Sequence, residues 1–280
     1  MRHQRFPSPS EPAISPIDCH PHPGFRRIKR WLREVIWQSP ALYHRLFELR
    51  YRGREQFECR GSFWIVGFQR SGNTFAGLLI DEVLYPGRVD FHLHLASSLR
   101  ICVDSGKPGF LVIRKPLDAA ISLAIFQRWP LVRALEDYID LHRFWLRDCP
   151  EVPVAPFEWF TQQPDELIAA AASLSDLTLP GSPVTPAVLQ RVQNRIETLF
   201  TDANDSLNES QVARPSGFRS PLQHQLESAA RESRVIRERV ATAESIRQEF
   251  LTRSIEHSTM IVPPERVAAT RPTQTLRGCH

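Results

Sequence analysis

Residues 63–79 combine a short hydrophobic run, a loop bracketed by two glycines and a stretch with helical spacing, FWIVGFQRSGNTFAGLL. The aromatic and β-branched residues 63–66 are typical of a buried parallel strand. Farther on, Leu78, Leu79 and Val83 recur at helical intervals. A strand that turns through glycine into a helix is the repeating unit of parallel sheets. The segment therefore predicts an α/β fold with a mostly parallel central sheet flanked by helices.

The loop in this segment has the features of an anion site. Its glycines have the spacing of the phosphate-binding pattern G-x-x-x-x-G-K-[ST], but Asn73 stands where the lysine is required. A cation lies earlier in the loop, at Arg70. Backbone N–H groups at the turn, the positive end of the helix dipole and this arginine together predict an anion cradle, to which Ser71 and Thr74 add short donors. The alternative is a tight turn with an incidental arginine.

A second strand-loop-helix pattern spans residues 109–126, GFLVIRKPLDAAISLAIF. Arg114 directly follows the hydrophobic run, and a proline two residues later suits the first turn of a helix. Asp118 and Ser122 are four residues apart and share one helical face. Because Arg114 follows a strand, it can reach an anion at the carboxyl edge of the sheet. We therefore expect Arg70 and Arg114 to converge on one cleft at that edge.

In these two blocks the chain resembles the sulfotransferase family that uses 3′-phosphoadenosine 5′-phosphosulfate. GFQRSGNT is similar to the family's loop for the 5′ sulfate and phosphate, and VIRKPLDAAIS to its segment for the 3′-phosphate. The resemblance covers about residues 60–250. It implies a three-layer fold like that of the P-loop nucleotide hydrolases, and in-line transfer of a sulfuryl group to an acceptor hydroxyl or amine. The product would be 3′,5′-bisphosphoadenosine, and no metal would be required.

The resemblance also implies which residues bind the donor. The residues at the 5′ end are Arg70, Ser71, Gly72, Asn73 and Thr74. Arg114 and Ser122 would bind the 3′-phosphate, and Phe75 would lie close to the adenine. FEWFTQQPDEL is similar to a family segment that closes a strand, and it adds Phe157 to the donor site, although only Glu158 of the three signature residues is retained. A basic loop over the 3′-phosphate falls within RPSGFRS, where Arg214 and Arg219 are both candidates.

The catalytic base is expected to be a histidine, because it must remove the acceptor's proton near neutral pH. DFHLHLASS offers two, and we choose His94, which is twenty residues before the 3′-phosphate arginine, as in the cytosolic branch of the family. His92 then stands where the family has lysine, so Arg70 is expected to act on the donor's bridging oxygen. Two alternatives stay open: a solvent-facing strand edge that carries both histidines, and Glu82 as the base, as in carbohydrate-type sulfotransferases.

The functional alternatives are a kinase-like phosphotransferase with a degenerate P-loop and a non-catalytic nucleotide-binding protein. The missing lysine, and the lack of an aspartate at a strand end to hold magnesium, disfavour the kinase. His92 and the altered segment at residues 157–159 keep the non-catalytic protein open. The acceptor, whether a small molecule, a lipid or a carbohydrate, is not defined by the sequence. Apolar residues at 126–131 suggest a partly hydrophobic acceptor, although core packing explains them equally well.

Length and composition predict one large domain with tails. The 280 residues are expected to form an arm (1–24), an α/β domain (25–255) and a C-terminal tail (256–280). The net charge of +4 gives no sign of a nucleic-acid partner, and no metal-ligand spacing is present. Residues 25–58 are expected to form a basic amphipathic helical segment. It is expected to pack on its own domain or, through residues 25–37, to contact an anionic membrane peripherally.

The sequence predicts free thiols and a cytoplasmic location, because its five cysteines are scattered and it shows no cleavable N-terminal signal and no apolar stretch of membrane-spanning length.

Further helices are expected at residues 127–149 and 169–174. Residues 178–186 read as a connector, and alternating Glu and Arg at 222–253 predict one long helix with an ordinary solvated face.

Overall fold

The computed structural model describes residues 59–94, 96–179, 183–201 and 219–256, together with residues 35 and 181. Four strands in these residues form one parallel sheet in the order β2-β1-β3-β4. They are β1 (Phe63–Gly67), β2 (Val89–Leu93), β3 (Gly109–Ile113) and β4 (Val154–Pro156). The prediction of an α/β fold with a parallel central sheet is confirmed. The predicted arm, the tail beyond residue 256 and the segment 25–58, apart from Val35, lie outside the described residues.

Helices follow the strands along the chain. They are α1 (Asn73–Val83), α2 (Ala96–Asp104), α3 (Pro116–Gln127), α4 (Leu131–Asp148), α5 (Phe157–Phe160), α6 (Pro164–Leu174), α7 (Pro186–Leu199), α8 (Arg219–Glu232) and α9 (Arg234–Glu256). Within the part of the chain that the structure describes, none of them is both long enough and apolar enough to cross a membrane.

Helices cover both faces of the sheet, because alternate strand residues point to opposite sides. On one face, Ile65 and Val112 pack with apolar residues of α1, α6 and α7. On the other face, Val66 and Leu111 pack with α2, α3, α4, α8 and α9. All five residues of β1 and of β3 are buried, which explains their uninterrupted hydrophobic sequence. The arrangement is compatible with the expected three-layer fold.

The strand order creates a crevice at the carboxyl edge of the sheet. β1 lies between β2 and β3, and the chain passes from β1 through α1 to β2 before it returns to β3 on the other side. The loops that follow β1 and β3 therefore diverge, and ligands of open α/β sheets usually bind at such a point. Arg70 follows β1 and Arg114 follows β3, so the topology brings both predicted anion-binding segments to this crevice.

Three helix predictions are wrong. Helix α6 begins at Pro164 rather than at residue 169. Residues 222–253 belong to two helices that Ser233 separates. Helix α9 is not simply solvated, since Ile236 and Phe250 are fully buried and the helix packs on α4. The many acidic and basic residues of α9 made its apolar side, which has about one residue per helical turn, hard to recognise in the sequence. Helix α7 was not predicted.

Candidate functional site

A cavity of about 710 Å³ lies at the carboxyl edge of the sheet. Its volume falls within the roughly 300–1,000 Å³ of small-molecule sites. Residues that directly follow each of the four strands contribute to its wall, together with side chains of α3, α7 and α8. Nine of the predicted site residues line it: Arg70, Gly72, Asn73, Thr74, Phe75, His94, Arg114, Ser122 and Phe157.

The loop after β1 is held in its shape by two glycines. Gly72 has φ of 94° and caps the N-terminus of α1. A Cβ atom there would lie 2.5 Å from Cδ2 of Phe157. A Cβ atom at Gly67 would overlap the Asn73 amide, which donates through Nδ2 to the Gly67 carbonyl at 3.1 Å. The loop therefore turns tightly into α1, and residues 72–75 at the start of that helix line the cavity. The N–H groups of a first helical turn lack helical partners and are available to an anion.

Arg70 and Arg114 share this cavity. Nη1 of Arg114 donates to the Arg70 carbonyl at 2.9 Å, and its guanidinium carbon lies 4.4 Å from the ring centre of Phe157. Nε of Arg70 donates to Oγ of Ser122 at 3.3 Å, and its guanidinium carbon lies 5.0 Å from the ring centre of Phe126. Arg70 also has φ of 69°, a left-handed conformation uncommon for a residue with a side chain. Burial lowers the pKa of Arg114, so this cation favours a compensating anion.

Three side chains from other elements hold the end of β3 that carries Arg114. The Tyr138 hydroxyl donates to the Arg114 carbonyl at 2.9 Å. The backbone N–H of Lys115 donates to Oε1 of Glu158 at 3.0 Å, and Nη2 of Arg247 lies 3.6 Å from the other oxygen of that carboxylate. Helices α4, α5 and α9 therefore position the arginine without using its guanidinium group.

His94 follows β2 and contacts the loop after β1. Its Nδ1 lies 3.0 Å from the Gly67 carbonyl and 3.0 Å from Nδ2 of Asn73. If Nδ1 carries the proton, it donates to Gly67 and leaves Nε2 as a proton acceptor. In the other tautomer, Nδ1 accepts from Asn73 instead. The carbonyl of Gly67 thus provides a partner for the tautomer that a general base requires.

Two of the remaining predicted site residues, Ser71 and Glu82, are described by the structure but do not line the cavity. Ser71 is fully buried and does not line it. Glu82 does not line it either, and its carboxylate pairs with Arg191 at 2.7 Å and Arg195 at 3.3 Å. Arg214 lies outside the described residues, and the side chains of His92 and Arg219 are likewise not described.

Sequence reasoning missed part of the wall. The further lining residues are Gln69, Asp118, Ile121, Phe126, Gln127, Thr161, Gln193, Ile196, Phe200, Ser220 and Gln223. Asp118 and Phe126 are four residues to either side of Ser122, so the helical face already recognised could have identified them. Gln193 and Ile196 belong to the unpredicted helix α7. Within the apolar segment suggested for the acceptor, Phe126 lines the cavity whereas Leu131 is fully buried in the core.

The cavity combines two guanidinium groups, a helix N-terminus, aromatic rings and one histidine. Such a set can hold a ligand with more than one anionic group and stack a planar ring. Searches of protein-family models and of curated proteins find no match to this chain. The geometry of the cavity therefore carries the functional inference.

Proposed function

We propose that the chain is a sulfotransferase of the P-loop type that binds 3′-phosphoadenosine 5′-phosphosulfate in this cavity and transfers its sulfuryl group to an acceptor hydroxyl or amine. The observation that carries the proposal is the shared position of Arg70 and Arg114, which follow different strands but line one cavity. The donor is an adenosine with anionic groups at both its 5′ and 3′ positions. Two cations at the diverging loops match such a ligand better than a ligand with a single anionic group.

Each end of the donor has a set of candidate contacts. The first turn of α1 and Arg70 would hold the 5′ sulfate and phosphate, as helix N-termini commonly do for phosphates. Arg114 and Ser122 would hold the 3′-phosphate. The adenine would lie against Phe75 and Phe157, whose rings line the same cavity. Because Ser122 contacts Arg70 in this structure, the arginine would shift from the serine toward the 5′ end when the donor binds.

His94 is the candidate base for the transfer. With Nδ1–H donating to the Gly67 carbonyl, Nε2 would accept the proton of the acceptor hydroxyl. The acceptor oxygen would form a bond to sulfur while the bond from sulfur to the bridging phosphate oxygen breaks. Arg70 and the N–H groups of α1 would stabilise the negative charge that develops on the leaving 3′,5′-bisphosphoadenosine. Glu82 is a weaker candidate, because Arg191 and Arg195 already neutralise it outside the cavity.

Nucleotide binding tests the proposal before any acceptor is known. Isothermal titration should show that 3′,5′-bisphosphoadenosine binds more tightly than ATP or GTP. Equal or tighter binding of ATP would contradict the proposal and favour a kinase-like phosphotransferase.

A transfer assay then tests the base. Labelled donor would be offered with phenols, sterols, glycolipids and sugars. His94→Ala should abolish transfer and leave the affinity for 3′,5′-bisphosphoadenosine nearly unchanged. His224→Ala, which changes an exposed histidine of α8, is the control and should retain transfer. Transfer retained in His94→Ala would assign the base elsewhere, and nucleotide binding without transfer to any acceptor class would indicate a non-catalytic binding protein.

A further inference from the structure

Asp118 is an unexpected residue in a cavity for an anionic ligand. It lies in the first turn of α3, one helical turn before Ser122, and is the one Asp or Glu among the described residues that line the cavity. Within the described part of the chain, no group donates a hydrogen bond to its carboxyl and no cation forms an ion pair with it. The carboxyl therefore has hydrogen-bonding capacity available for a ligand at Arg114 and Ser122.

Charged groups surround Asp118 on several elements, and no single one neutralises it. The groups that interact electrostatically with its carboxyl are Arg114 and Lys115 after β3, Glu158 in α5 and Glu227 in α8. Arg247 of α9 pairs in turn with Glu158 and with Glu244. Asp118 is exposed on the cavity wall, and its partial desolvation there raises the pKa of the carboxyl. Glu158 and Glu227 raise this pKa further, whereas Arg114 and Lys115 oppose the rise. Arg114 does not fully compensate it, because that guanidinium group is directed to the Arg70 carbonyl and the Phe157 ring.

We propose that Asp118 takes up a proton when a phosphate monoester binds at Arg114 and Ser122, and so determines the pH range in which the cavity accepts a 3′-phosphorylated nucleotide. The inference rests on the proposed function and deepens it. An ionised carboxylate and a phosphate in one partly desolvated cavity repel each other. A protonated carboxyl removes that repulsion, and its O–H donates a charge-assisted hydrogen bond to a phosphate oxygen. The proton comes from the solvent, and no covalent bond of the ligand changes.

The expected sign follows from linkage. A bound anion raises the pKa of Asp118 beyond its value in the free protein, so binding and protonation favour each other. Affinity for 3′,5′-bisphosphoadenosine should therefore decrease as the pH rises from the pKa of Asp118 in the free protein to its higher pKa in the complex, and should level off above that. Ionisation of the ligand's own phosphate, with a second pKa of about 6, has the opposite effect on affinity. Its dianion, which forms as the pH rises, binds the cations better. A comparison with Asp118→Asn separates the two effects, because only the contribution of Asp118 is lost.

The experiment is isothermal titration of 3′,5′-bisphosphoadenosine into the full chain, in buffers of different ionisation enthalpy, between about pH 5.5 and pH 8.5. Wild type should take up more protons per bound ligand than Asp118→Asn. At the alkaline end Asp118→Asn should bind about tenfold more tightly than wild type, and the difference should become smaller as the pH falls. Glu151→Gln, which changes an exposed residue before β4 that does not line the cavity, is the matched control and should behave as wild type. Adenosine 5′-phosphate, which lacks the 3′-phosphate, should show no difference in proton uptake between wild type and Asp118→Asn.

The outcomes separate this inference from the proposed function. Equal proton uptake by wild type and Asp118→Asn, or weaker alkaline binding by the variant, would overturn the inference alone. Asp118 would then act as an ionised acceptor for a ligand hydroxyl or amino group. If 3′,5′-bisphosphoadenosine does not bind wild type at all, the proposed function fails and the inference fails with it. The proton count of wild type is a readout that does not depend on the folding of any variant.

Discussion

Gly72→Ala tests the geometry of the loop after β1 quantitatively. The new Cβ would stand on a backbone with φ of 94° and lie 2.5 Å from Cδ2 and 2.7 Å from Cε2 of Phe157. A left-handed conformation costs about 1–2 kcal/mol for a residue with a Cβ atom. Overlap with a packed side chain costs about 1–3 kcal/mol more. We therefore expect Gly72→Ala to lower the free energy of unfolding by about 2–5 kcal/mol.

Phe157→Leu separates the two contributions, because it removes the ring edge that the new Cβ would meet. Urea unfolding of wild type, both single variants and the double variant gives the coupling energy between the positions. The overlap should be relieved in the double variant, with a coupling of about 1–3 kcal/mol, whereas the backbone contribution should remain. Gly87→Ala is the matched control, since Gly87 has φ of 71° but no atom within 4 Å of its hypothetical Cβ. It should show only the cost of about 1–2 kcal/mol for the left-handed backbone.

The result that would refute this reasoning is a Gly72→Ala variant no less stable than Gly87→Ala. Additive effects of Gly72→Ala and Phe157→Leu on the free energy of unfolding, with no coupling between them, would also refute it. Either outcome would mean that Phe157 does not lie against the loop, and the wall of the cavity would need a different arrangement.

Three further variants test the site and its support. Arg114→Ala should weaken binding of 3′,5′-bisphosphoadenosine by about 1.5–3 kcal/mol in isothermal titration, and Arg133→Ala, outside the cavity lining, should not. Tyr138→Phe should lower the free energy of unfolding by about 1–3 kcal/mol in urea, because the Arg114 carbonyl loses its buried donor; an unchanged value would contradict that contact. Burial lowers the pKa of His142 to about 3, so below about pH 6.5 only the unfolded chain takes up this proton, and stability falls by about 1.4 kcal/mol per pH unit. His142→Phe should remove this slope between about pH 6.5 and pH 4.5, and equal slopes in the two proteins would refute the assignment.

The two strand-loop-helix units could be predicted from sequence because their signals are local. A β-branched run that ends in glycine defines the strand, and Pro116 marks the start of α3. Once both units are taken as parallel, the meeting of Arg70 and Arg114 at one edge follows from general topology. Their individual contacts do not follow. Ser122 was paired with Arg114, but its hydroxyl accepts a hydrogen bond from Arg70.

The helices that were not predicted correctly depend on tertiary contacts. Val188, Val192 and Ile196 are the buried residues of α7 and are spaced by four, but polar residues separate them and weaken the periodic signal. Thr185, whose side chain accepts from the Val188 N–H, was the start signal that could have identified the helix. In α9, Arg247 is only 7% exposed because Glu244 and Glu158 lie beside it. A charge that is buried through a distant partner cannot be distinguished in sequence from one in water.

A crystal structure with 3′,5′-bisphosphoadenosine is the most direct test of the central claim that two separate clamps hold the ends of one adenosine ligand. We predict the 3′-phosphorus beside Arg114 and Ser122, and the 5′-phosphorus against the backbone N–H groups of residues 72–74 with Arg70 next to it. The adenine should contact Phe75 and Phe157. Electron density for the ligand outside this cavity, or with both phosphates at one arginine, would contradict the claim.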